Sequence, residues 1–296
     1  MSLVSNNTKW VFILNKEDSK KGGSRHLFDI AFGLYCLEQV GVSPQNVELY
    51  IDGSESNIQQ IISFICQNPY TIKKTIDVRH FAEESASYDD LVMFIFGHGT
   101  ANEGITGRKK SLTARRLYSL LGHIRKPTRA VVYMGQCYSG LFRNMPAYDN
   151  PQLVVVGAVG NKSSFSILAE DLIGIAPKLQ GFPNRDFPTI GDHLTYNVFL
   201  VCIFAWLLNP NDIDADGNMS VYDSFRYALD NVTHLLQPAR AYYETQKRYT
   251  EAQLEQDPAN PVLADKLDTF NEYIDCIDNP DSWISDEARA KSITVI

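Results

Sequence analysis

Two short apolar runs constrain this chain more than anything else in it. They are Leu91–Phe96 and Ala130–Met134, and each runs straight into glycine and a reactive side chain. The first is followed by Gly97-His98-Gly99, the second by Gly135-Gln136-Cys137-Tyr138-Ser139-Gly140. A brief run of β-branched and aromatic residues closed by glycine reads as a buried strand reaching its C-terminal end. In open α/β sheets, reacting groups gather just beyond such ends. An imidazole and a thiol are therefore expected to meet across one sheet edge.

That pair has a definite chemical use. A thiolate attacks a carbonyl carbon, and an imidazole handles protons, including the one delivered to a departing amine. The backbone N–H groups of Gly99 and Cys137 are candidates to hold the developing oxyanion, since glycine permits close approach. Taken singly, a core histidine and an inert buried cysteine are the commoner fates. Two glycine-closed strand ends favour the catalytic reading of His98 and Cys137.

Composition narrows the setting. At 296 residues, with 44% hydrophobic and 21% charged residues, the chain has the make-up of a globular protein with room for one large core. A net charge of −8 argues against nonspecific binding to nucleic acid or an anionic membrane. Five scattered cysteines suggest neither a disulfide framework nor a zinc site, so a reducing, cytoplasmic setting is expected. The early apolar run Val11–Leu14 is too short for a secretory signal, and the longest one, Val198–Leu208, is too short to span a bilayer.

Read in order, the chain alternates. Strands are expected at Trp10–Leu14, Val47–Ile51, Leu91–Phe96, Ala130–Met134 and Leu153–Val159. Helices are expected at Arg25–Val40, Ile58–Cys66, from Ser111 to Leu121, and at His193–Leu208. Such alternation predicts an α/β fold with a mostly parallel sheet flanked by helices. The connector from Leu172 to Asp192 is long enough to suggest a substrate-facing or cleavable loop. Beyond Gln237 the chain turns charged, with helical spacing over Arg240–Glu255 and Pro261–Ile277. The expected division is thus a main domain over 1–236 and a helical C-terminal extension over 237–296, the latter a candidate surface for a protein partner.

These residues, taken together, resemble cysteine peptidases of the caspase–legumain clan, and the legumain-like branch in particular. Leu91–Gly99 is similar to the strand carrying the family's histidine, and Tyr133–Gly140 to the strand and turn carrying its nucleophile. Arg25-His26 resembles an early Arg-His pair, and Ala158–Phe165 a segment with paired serines. The similarity runs in matching order from Trp10 to Leu208. It implies a caspase-like sheet and a cysteine endopeptidase cleaving after Asp or Asn through a Cys–His dyad, with no cofactor for catalysis. It also implies that Arg25 lines the pocket for the residue before the scissile bond, with Ser163 and Ser164 as further candidates. A guanidinium fork suits a carboxylate or an amide oxygen. Gly135 stands where legumains carry a glutamate, so the lost negative charge leads to an expectation of Asp over Asn. A basic specificity would need a pocket carboxylate such as Asp171 or Asp192. Asp149-Asn150 and Asp186 are candidate self-processing sites.

A second motif lies at 212–223, where Asp212, Asp214, Asp216, Asn218 and Asp223 follow the calcium-loop template, with Gly217 at the sharp turn. Hard oxygen donors at this spacing suit Ca²⁺, and the shorter Asp223 in place of glutamate lowers affinity or favours Mg²⁺. An Asx-rich turn capping the next helix explains the same residues without a metal. Two other functions remain open on the sequence alone. One is a ligase or transpeptidase using the same acyl-enzyme. The other is a catalytically silent scaffold that binds partners through its charged tail.

Overall fold

The computed structural model describes residues 2–15, 25–78, 88–107, 111–124, 127–145, 152–168 and 195–296. The elements alternate as β1 (Thr8–Leu14), α1 (Arg25–Gln39), β2 (Val47–Ile51), α2 (Glu55–Ile65), β3 (Ile72–Lys73), β4 (Asp90–Phe96), β5 (Gly99–Thr100), β6 (Gly104–Ile105), α3 (Ala114–Gly122), β7 (Arg129–Met134) and β8 (Gln152–Gly157). There follow β9 (Ser166–Leu168), β10 (Thr195–Asn197), α4 (Val198–Leu208), α5 (Val221–Leu235), α6 (Gln237–Gln256), α7 (Pro261–Asp278), β11 (Trp283–Ile284) and α8 (Glu287–Ser292).

Seven strands form one sheet in the order β11-β8-β7-β4-β1-β2-β3. All neighbours run parallel except β11, which lies antiparallel on β8. The fold is therefore α/β, a mostly parallel sheet flanked by helices. Because successive side chains in a strand point to opposite faces, each central strand feeds two cores. Trp10, Phe12 and Leu14 of β1 join Phe94, Phe96 and Tyr133 under α1, α4 and α5. Val11 and Ile13 join Met93, Ile95, Val132 and Met134 under α3.

Helix α4 is apolar all round and buried from Val198 to Leu207, as a helix enclosed by a sheet and two other helices must be. Phe204 reaches from it into the sheet, 4.7 Å from Phe94 between ring centroids. The sequence pattern starts this helix at His193. The structure starts it at Val198, because Asn197 caps it by accepting from the Leu200 N–H at 3.0 Å and 195–197 pair with β9 as a strand. Among the described residues, no helix is long and apolar enough to cross a membrane.

The segment after 236 contains the two expected helices, and Arg240 at the start of α6 binds Asp278 at the end of α7 through bonds of 2.6 and 2.9 Å, which fixes an antiparallel hairpin. It then does something the charge pattern did not announce. β11 returns to the sheet edge, with Trp283 opposite Gly157 and its indole N–H donating to Val159 O at 3.0 Å. The last residues tie to the first, through Leu3 N to Thr294 O at 3.0 Å and Val4 N to Val295 O at 2.9 Å.

Candidate active site

Strand register places the reactive pair. β4 and β7 are neighbours and run parallel, with Ile95 paired to Met134. His98 and Cys137 each lie three residues past that pair (98 − 95 and 137 − 134). Adjacent strands stand about 4.8 Å apart, so the two residues follow neighbouring strand ends at the same edge of the sheet. The backbones remain in contact beyond the strands. A Cβ on Gly99 would overlap the Cys137 carbonyl, so only glycine fits there. That is a different reason for Gly99 than the oxyanion role expected from sequence, and it holds the histidine turn against the cysteine turn.

Each turn is anchored. The His98 carbonyl accepts from Thr106 N at 2.8 Å. After Cys137 the chain passes through Tyr138 at φ 56°, a left-handed conformation uncommon for a tyrosine. Tyr138 N donates to Lys162 O at 2.8 Å and Gly140 N to Gly160 O at 2.9 Å, which holds this turn on the segment after β8. Strained backbone of this kind collects at functional sites.

The sulfur itself is touched by Ser164. The Ser164 N–H donates to Cys137 Sγ at 3.3 Å, and its hydroxyl donates to Gly135 O at 3.0 Å. Asn197 completes the brace, donating from Nδ2 to Gly135 O at 2.7 Å and to Ser164 Oγ at 3.3 Å. Ser163 turns the other way, its N–H meeting the Cys276 thiol of α7. Of the five free cysteines only Cys137 is not fully buried. Burial pushes the thiols of Cys36, Cys66, Cys202 and Cys276 up and keeps them inert.

Arg25 opens α1 beside the histidine. Its Nη2 lies 3.4 Å from His98 Nδ1, and its Nη1 donates to Ser166 Oγ at 3.1 Å. His26 is buried and meets His98 edge-on, with ring centroids 5.0 Å apart. One turn further along α1, Asp29 is wholly buried. Its Oδ1 accepts from Asn197 N at 2.7 Å, and its Oδ2 lies 3.7 Å from His26 Nδ1. Burial pushes this carboxyl up to about 7, against the opposing pull of the Asn197 N–H and the Arg25 charge. Sequence reading passed over Asp29, because a lone Asp in an apolar helix looks like a solvent-facing residue. The signal available was its spacing of four from Arg25, which places both on one helix face.

Gly135 also takes on a different meaning. A side chain there would collide with Leu200 of α4 and approach Asn197 Oδ1 to 3.1 Å, so no glutamate has room. Asp29, one turn along α1, is the carboxyl within electrostatic reach of Arg25. Of the other candidates, Asp149, Asn150, Asp171, Asp186 and Asp192, with the Leu172–Asp192 connector, lie outside the described residues.

The acidic loop brings Asp212, Asp214 and Asp216 together, with carboxylate oxygens within 4.8 Å of one another. Left-handed φ values at Ala215 (58°) and Gly217 (86°) form the tight turn. Asp223 is occupied differently. Its Oδ1 accepts from Ile213 N at 2.7 Å, and its Oδ2 accepts from Ser220 N and Oγ at 2.8 and 2.7 Å, making a capping box for α5. Lys291 of α8 stands 3.1 Å from Asp214 Oδ2, and Asn218 Nδ2 donates to Lys291 O at 2.8 Å. The three clustered carboxylates fit a hard cation, whereas Asp223 would have to give up capping bonds to join them.

No family model and no curated protein matches the chain. Among solved structures it is similar to caspase-1 from Spodoptera frugiperda, at 14% identity and a TM-score of 0.35, over 67% of this chain and 76% of that one. It is also similar to a secreted C11 cysteine protease from Bacteroides thetaiotaomicron, solved with an irreversible peptide inhibitor. There the identity is 14% and the TM-score 0.30, over 53% of this chain and 49% of that one, about half its length. Likeness at this level carries no functional weight, and the residue geometry has to stand alone.

Proposed function

We propose that this chain is a cysteine peptidase in which Cys137 is the nucleophile and His98 the proton carrier, cleaving after Asp or Asn. The observation that supports it is the shared register of β4 and β7, whose neighbouring ends are followed at equal distance by His98 and by Cys137, a partly buried thiol. His98 takes the Cys137 thiol proton as the sulfur attacks the scissile carbonyl, and the carbonyl π electron pair moves onto its oxygen. The N–H groups of Cys137 and Gly99 are the donors offered to that oxyanion. As the tetrahedral species collapses, His98 passes a proton to the amine and the C–N bond breaks. Water, deprotonated by the same imidazole, then releases the acyl group from sulfur. Arg25 recognises the carboxylate or amide before the scissile bond, and Ser164 steadies the sulfur rather than lining the pocket. The loop at 212–216 is read as a Ca²⁺ site that fastens α5 and α8.

The test is peptide cleavage with labelling. Peptides carrying Asp or Asn before the scissile bond should be cut, with Lys and Leu versions spared. An Asp acyloxymethyl ketone should label Cys137 stoichiometrically. Cys137→Ala should abolish both, and His98→Ala should slow cleavage by about 10²- to 10⁴-fold. Absence of both cleavage and labelling in the intact protein removes the reading.

A further inference from the structure

We infer that Asp29 is a positioning residue for the His98–Cys137 site, tying its two arms together and setting how strongly the pocket favours a carboxylate over a carboxamide. The inference rests on the peptidase reading above. Burying a carboxylate is costly unless its oxygens are satisfied. Asp29 is wholly buried, yet its Oδ2 accepts no hydrogen bond among the described residues. A half-satisfied acid inside α1 weakens the fold, so its presence calls for another reason.

Its two oxygens reach the two halves of the site. Through Oδ1 it holds Asn197 N, and Asn197 in turn holds the Gly135 carbonyl and the Ser164 hydroxyl. Ser164 donates to the sulfur. Through Oδ2 it faces the His26 ring, which lies edge-on to His98. Its charge also acts on Arg25, one helical turn away, which contacts both His98 and Ser166. A further ionisable neighbour is Tyr196 of β10, whose phenol is pushed up by burial and by Asp29. No side chain fits at Gly135, so the counter-charge for Arg25 comes from inside the helix.

Asparagine and alanine separate the two roles. Asn keeps an oxygen for the Asn197 N–H but has no charge, while Ala has neither. The assay is steady-state cleavage of matched Asp and Asn peptides at mildly alkaline pH by wild type, Asp29→Asn and Asp29→Ala. Asp29→Asn should raise the Asp-over-Asn ratio of kcat/KM about fivefold, mainly through KM, since Arg25 loses its counter-charge. Asp29→Ala should shift the ratio similarly and lower kcat a further tenfold or so, because Asn197 is released. Asparagine should recover most of that kcat loss. If the alanine variant does not fold, the ratio in Asp29→Asn still decides. A ratio within about twofold of wild type in Asp29→Asn overturns the role of Asp29 while leaving the peptidase reading intact. A wild type that cuts neither peptide removes both.

Discussion

Arg25 and His98 share a contact, Nη2 to Nδ1 at 3.4 Å, and the same guanidinium reaches Ser166 Oγ at 3.1 Å. Arg25→Ala should lower kcat/KM for Asp and Asn peptides by about 10- to 100-fold, the worth of charge-assisted hydrogen bonds. Arg25→Lys should recover little, since an ammonium cannot reproduce the planar fork. Initial-rate kinetics checks this, and a lysine variant with full activity would contradict it.

The close approach of α4 to Gly135 makes a second prediction. A methyl group there would meet Leu200, which is itself locked in the core. Gly135→Ala should therefore cost about 1–3 kcal/mol in urea unfolding, as overpacking does. Gly135→Glu should fare worse, and wild-type stability in either variant would show that α4 can shift.

Asp29 should leave a mark on stability against pH. Its folded carboxyl titrates near 7 against an ordinary value of 3.8. Between those limits the folded chain holds a proton that the unfolded chain has released, so stability falls as pH rises from about 4 to 7 and is level above. The shift corresponds to at most roughly 4 kcal/mol. Asp29→Asn should flatten that slope and be the more stable protein above pH 7. Thermal melts across this range decide it, and parallel slopes in the two proteins would count against the assignment.

Calcium provides a fourth check. Three carboxylates in one loop, with Lys291 close to Asp214, predict weak binding. Calorimetry should give heat at millimolar Ca²⁺, abolished by Asp212→Asn and shifted to lower Ca²⁺ concentration by Lys291→Met. No heat at that concentration would leave the loop as a capped turn.

Much of this was legible beforehand where periodicity and burial coincide. β2 and the apolar run of α4 fall where the pattern put them, because continuous apolar stretches bounded by glycine or asparagine admit few other readings. The positions of His98 and Cys137 just past neighbouring strands were legible for the same reason, since glycine marks each strand end. What escaped were the relations that sequence distance hides. Asp29 joins Asn197 across 168 positions, and Ser164 meets Cys137 across 27. Neither carries a local signal. β11 was hidden too, because two residues on a sheet edge are too short to show alternation.

That late strand has a consequence for how the molecule comes into being. Trp283 covers Gly157 beside the very strand whose following residues hold the nucleophile turn, and Cys276 meets Ser163 on that same segment. On a ribosome, the thiol would be exposed to the cytosol or lumen long before these partners had been translated. The Cys137 turn can therefore reach its full bracing only once synthesis has passed Trp283.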